Sequence, residues 1–159
     1  MNYLLDTHVF LWAVFEPERL SKKARQAIED PDNTIYVSAA TFWEISLKHA
    51  LGKLILTNVA PDALPDIARQ MGFEMMDIDA DTASTFYKLP RTANKDPFDR
   101  LVVWQAINSG ARVAPSTSKA RGASPSNLAS LVHSSNVTLI TKDKGIGAFR
   151  KLGLKTLWR

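Results

Sequence analysis

Short apolar runs that read as strands recur along the chain, with helical stretches between them. Asn2 to Thr7 is the first, Thr34 to Ser38 the second, Phe73 to Ile78 a third, Val137 to Thr141 a fourth and Leu154 to Trp158 the last. Between them lie stretches that read as helices, over 9–15, 22–29, 39–51, 61–70, 79–89 and 97–108. Strands joined through helices pair in parallel, and a parallel sheet needs helices on both faces. The pattern therefore predicts an α/β protein: a three-layer α/β/α sandwich with a mainly parallel central sheet. A chain of 159 residues suits one such domain over 1–159. The exception is a Ser/Ala/Gly-rich tract at 109–135, which reads as an atypical insertion.

Local signals sharpen the helices. Ser21 is placed to cap 22–29, whose Ala24, Ala27 and Ile28 face inward. Gly52 suits the position just past the helix that ends at Leu51. In that helix Trp43, Leu47, Ala50 and Leu51 fall at i, i+4, i+7 and i+8, which reads as a core stripe with Glu44 at its boundary. Met75 and Met76 read as core filler.

The chain has no cysteine, which excludes disulfides and thiolate metal sites. Any metal is left to oxygen ligands or to His8, His49 or His133, and oxygen favours magnesium, manganese or calcium. No apolar run approaches the roughly 20 residues that span a bilayer. The first residues already read as a buried strand, so a cytoplasmic protein without a signal peptide is expected. Twenty basic and sixteen acidic residues give a formal charge of +4, which permits a polyanionic partner without demanding one.

The acids are more informative. Lys95-Asp96-Pro97-Phe98-Asp99-Arg100 opens the helix 97–108. Pro97 suits the first helical position, Asp96 the N-cap and Asp99 the third helical position. Asp6 ends the first strand, Glu44 lies in the helix after the second, and Asp143 follows the fourth. In an open parallel sheet the carboxyl ends of the strands and the starts of the following helices share one edge. Several carboxylates gathered there repel one another unless a hard cation neutralises them. Such an ion serves phosphodiester hydrolysis. Lys95 and Arg100 flank the pair, either as phosphate contacts or as solvated helix-end charges. The tract 109–135 reads either as a passive excursion, with one or two helical turns at Asn127 to His133, or as a basic arm using Arg112, Lys119 and Arg121. His8 reads as a packing or hydrogen-bonding residue rather than a ligand, since hard Mg²⁺ prefers oxygen, and His49 and His133 as surface residues. The four tryptophans read as core or interface.

The ordered set Leu4-Leu5-Asp6-Thr7-His8, Trp43-Glu44-Ile45-Ser46, Asp96-Pro97-Phe98-Asp99-Arg100 and Leu139-Ile140-Thr141-Lys142-Asp143 resembles the PIN-domain ribonucleases, most closely the VapC-type toxins of bacterial toxin–antitoxin pairs. The resemblance covers nearly the whole chain outside 109–135. It implies a Mg²⁺- or Mn²⁺-dependent endoribonuclease that acts on RNA, is usually dimeric, and is neutralised by a small antitoxin whose tail enters the acidic groove. By the same resemblance Asp6, Glu44 and Asp99 match the principal acids and Asp143 the fourth. Asp96 belongs to the submotif of this branch, as a metal ligand or as a helix cap. Thr7 and Thr141 match small hydroxyl residues beside the first and fourth acids. The long tract before Asp143 departs from the family pattern. It keeps a second reading open, a catalytically impaired PIN-like module that binds RNA or protein. A phosphotransfer protein using Asp6 is disfavoured, because Asp6 lacks the Asp-x-Asp pattern of the haloacid-dehalogenase phosphatases.

Overall fold

The computed structural model describes residues 1–91, 95–109 and 137–158. Five strands, β1 (Asn2–Leu5), β2 (Thr34–Ser38), β3 (Glu74–Met76), β4 (Thr138–Ile140) and β5 (Lys155–Leu157), pair in the order β3-β2-β1-β4-β5. Every pairing among them is parallel. Leu5 lies level with Val37 on one side and Ile140 on the other, so the carboxyl ends of the three central strands are flush.

Six α-helices are described: α1 (Thr7–Phe15), α2 (Lys22–Glu29), α3 (Ala39–Ala50), α4 (Leu64–Gln70), α5 (Ala80–Thr85) and α6 (Pro97–Asn108). A 3₁₀ segment, Gly145–Leu152, precedes β5. Successive side chains of a strand point to opposite faces, and β1 feeds both cores in this way. Tyr3 and Leu5 join Phe10, Ala24, Ile45 and Leu64 on one face, while Leu4 joins Val103, Trp104, Leu139 and Phe149 on the other. This is the three-layer α/β/α sandwich with a parallel sheet that the pattern predicts.

The elements begin and end close to their predicted positions, with instructive exceptions. The first helix starts at Thr7 rather than Val9, because the Asp6 side chain caps it by accepting from the His8 amide. Pro61–Ala63 forms a 3₁₀ turn before α4, and Phe86–Lys88 another after α5. Gly52 stands just past α3 with φ +66°, a conformation that costs glycine little.

The predicted core stripe of α3 is corrected. Trp43, Leu47 and Leu51 are 60%, 41% and 58% exposed, and Ala50 is exposed as well. The buried face is Ala40, Thr41, Glu44 and Ile45. The helix turns its large apolar residues outward and seats a carboxylate inside. Apart from Ser109, the tract at 109–135 lies outside the described residues, and with it Arg112, Lys119, Arg121, His133 and the turns proposed for 127–133.

The chain builds β2 and β3 to one side of β1, and β4 and β5 to the other. The strand order thus reverses between β1 and β4. The crevice outside the carboxyl ends at such a reversal is where open α/β sheets place ligands.

Candidate active site

Asp6 stands at that crevice, directly after β1 and 7% exposed. Its Oδ1 accepts from the His8 amide at 3.4 Å and its Oδ2 from the Thr141 hydroxyl at 2.6 Å. Thr141 follows β4, so its hydroxyl ties the ends of the two switch-point strands together. The Thr141 hydroxyl oxygen accepts in turn from the Asp143 amide at 3.0 Å. The Asp143 carboxylate accepts from the Gly145 amide at 2.7 Å and is exposed. Asp143 is therefore joined to Asp6 through Thr141, while its own side chain starts the next turn.

Burial pushes the Asp6 carboxyl above its ordinary value. The Thr141 hydrogen bond and the charge and amide of His8 oppose the rise, and the charge of Glu44 adds to it. Glu44 is thus close enough to Asp6 for the two acids to act on one another.

Glu44 itself is 1% exposed. Its Oε2 accepts from the Thr7 hydroxyl at 2.5 Å, and its Oε1 pairs with the Lys48 ammonium one turn along α3. Thr7 also lies 3.5 Å from Thr41, hydroxyl to hydroxyl. Burial lowers the affinity of Lys48 for its proton. The hydrogen bond and charge of Glu44, with the charges of Asp96 and Asp99, more than reverse this and hold Lys48 above the ordinary lysine value. Four acids are linked by these fields: Asp6 to Glu44, and Glu44, Asp96 and Asp99 to one lysine.

Asp96 caps α6, accepting from the Phe98 amide at 2.9 Å and the Asp99 amide at 3.4 Å, with Pro97 at the first position as predicted. Asp99 occupies the first turn and is half-buried. Phe98 packs edge-on against Trp43, ring centres 5.0 Å apart, which docks the start of α6 on α3. Deeper in the same interface Gln105, 4% exposed, accepts from Ser38 and donates to the Asp77 carbonyl at 3.1 Å.

Arg100 and His8 both have partners within the chain. Arg100 donates to the carbonyls of Leu89 and Pro90, both at 3.1 Å, so its guanidinium braces the chain before α6. His8 is exposed and serves Asp6 through its amide, with its ring 6.1 Å from that of Trp12. Trp12 and Trp104 are buried, whereas Trp43 is at the surface. His49 is exposed.

The donor set suits a hard divalent cation. It is all oxygen, and Asp6 is a carboxylate whose anion is disfavoured by burial. Among the described residues no three His, Cys, Asp or Glu side chains stand close enough to hold an ion as they are. Both oxygens of Glu44 are instead engaged by Lys48 and Thr7.

Comparison with known proteins fits this geometry. The family described as PIN domain matches residues 3–118. The chain belongs to the PIN-domain family. Ribonuclease VapC22 of Mycobacterium tuberculosis is 34% identical over 110 residues, which make up 69% of this chain and 82% of that one. The crystal structure of VapBC2 from Rickettsia felis bound to a DNA fragment from their promoter contains a chain that aligns over 100% of both chains with TM-score 0.58. At 17% identity that likeness speaks for the fold alone. The matched stretch of the PIN domain includes Asp6, Glu44, Asp96 and Asp99 and ends before Asp143. Two features of this PIN domain escaped the sequence reading. One is Lys48, although its i,i+4 spacing from Glu44 is the signature of a helical ion pair. The other is the Ser38–Gln105 link, which no spacing announces because the two residues lie 67 positions apart.

Proposed function

We propose that this PIN domain is a divalent-metal-dependent endoribonuclease that hydrolyses RNA phosphodiester bonds and acts as the toxin of a toxin–antitoxin pair. The observation that carries the reading is the burial of Asp6 and Glu44 at the switch-point crevice, with the acidic start of α6 beside them. A relative named as a ribonuclease, VapC22, supports it. We read the chain as one such domain over 1–159 and as a cytoplasmic protein. Among the described residues no helix is long and apolar enough to cross a membrane.

Asp6, Glu44 and Asp99 are the residues we assign to Mg²⁺ or Mn²⁺ and to catalysis, with Asp143 as the fourth catalytic acid and metal ligand and Asp96 as a further ligand beyond its capping role. A divalent ion bound there offsets negative charge on the phosphate and leaving oxygens and makes water more acidic. Asp6 is held for this task by Thr141, and Glu44 by Thr7. A hydroxyl that fixes one carboxylate oxygen leaves the other oriented, which is how groups behind a metal ligand set its geometry. The outward stripe Trp43, Leu47 and Leu51 is large and apolar for a free surface, which suits a chain with protein partners. We assign those partners as a second copy, giving a homodimer, and an antitoxin.

The test is cleavage of an end-labelled RNA by purified wild type and Asp99→Asn, with Mn²⁺ and with EDTA. Internal cuts by wild type in Mn²⁺ alone are expected. RNA binding without cleavage under every condition would return the protein to the class of impaired binding modules.

A further inference from the structure

We propose that Lys48 is a built-in cation of the acidic pocket, and that it competes with the divalent ion for Glu44. The inference rests on the metal-dependent reading above. Both oxygens of the Glu44 carboxylate are engaged, one by the Thr7 hydroxyl and one by the Lys48 ammonium. The two partners differ in what they can do. Thr7 is 4% exposed, at the start of α1, and its hydroxyl sits on a short stem. Lys48 is 34% exposed at its side chain, with a flexible four-carbon stem. It can swing its head to water with the α3 backbone unmoved.

The ammonium is also placed for more than a helical pair. It feels the charges of Asp96 and Asp99 as well as Glu44, and the start of α6 that carries those acids docks on α3 through Phe98 and Trp43. A buried carboxylate stripped of its counter-charge is costly, and Lys48 supplies that charge. A divalent ion offered to the same oxygen meets a resident positive charge. Either the ammonium leaves or two cations share one carboxylate, and like charges at that range repel strongly. Ion binding at Glu44 is therefore coupled to the outward swing of Lys48.

A plain i,i+4 ion pair would raise helix stability and leave ion affinity alone, so the two roles separate by measurement. Mn²⁺ is titrated calorimetrically into wild type, Lys48→Gln and Lys48→Arg, and each is melted in EDTA. Lys48→Gln is expected to melt lower in EDTA and to bind Mn²⁺ more tightly, by about 10-fold if the coupling is of ordinary size. Lys48→Arg keeps the charge and should stay near wild type. Unchanged or weaker Mn²⁺ binding by Lys48→Gln overturns the proposal while leaving the nuclease reading intact. Absence of Mn²⁺ binding by wild type overturns both. A second measurement needs no variant: the side-chain ammonium NMR signal of Lys48 in wild type should move when Mg²⁺ is added, and a signal that stays put overturns the competition.

Discussion

At the scale of single residues, two hydroxyls each hold a buried acid. Thr141 donates to Asp6 and Thr7 to Glu44. Thr141→Val keeps the shape and removes the donor, and should lower RNA cleavage by about 10- to 100-fold, the usual cost of losing a partner behind a metal ligand. Steady-state cleavage rates of the folded variant check this. Asp6 also carries a pH signature. Burial raises its carboxyl above the ordinary 3.8, so the folded protein keeps this proton where the unfolded chain has lost it. The stability this provides is present below 3.8 and drains away as pH rises toward the folded value. Denaturant midpoints in EDTA should therefore show wild type losing ground to Asp6→Asn as pH climbs through that window. Parallel curves would mean that Asp6 does not feel its burial.

At the scale of elements, α3 separates what the sequence displays from what it conceals. Hydrophobic periodicity located the helix to within a residue and then pointed it the wrong way. The period of Trp43, Leu47 and Leu51 is real, yet it marks an outer face, because an apolar stripe reads the same whether it meets a core or a partner. The inner face is made of Ala40, Thr41, Glu44 and Ile45, small and polar groups that a hydropathy pattern passes over. Ile45→Ala should accordingly cost about 2–5 kcal/mol, and Leu47→Ala within about 1 kcal/mol in the monomer. Urea unfolding of both variants measures the contrast, and equal losses would restore the inward stripe. Helix α6 was more legible, since Asp96 and Pro97 are local cap signals that fix its start from sequence alone. The start of α1 was not, because Asp6 reads equally well as a strand end until the His8 amide is seen bonded to it.

At the scale of the whole molecule, the strand order explains why Asp6 and Thr141, far apart in the chain, meet. Alternating strands and helices were enough to give the layers and the parallel sheet. The order β3-β2-β1-β4-β5 was not readable, because it depends on which strands pair and not on what any strand contains. That order puts the reversal between β1 and β4, and so sets Asp6 beside Thr141 across 135 positions. On the proposed metal-dependent reading, an ion that binds the folded crevice and not the unfolded chain links ion binding to folding. Mn²⁺ at 100 times its dissociation constant is expected to add about 2.7 kcal/mol to stability. A thermal midpoint indifferent to Mn²⁺ would deny that linkage.

The convergence of Asp6, Glu44 and Asp99 is tested most directly by calorimetric titration of Mn²⁺ into wild type and into Asp6→Asn, Glu44→Gln and Asp99→Asn, each shown to be folded. The expected result is measurable binding by wild type and a marked loss in all three variants, since we assign each acid to the same ion. Wild-type affinity retained by two of the three would contradict it.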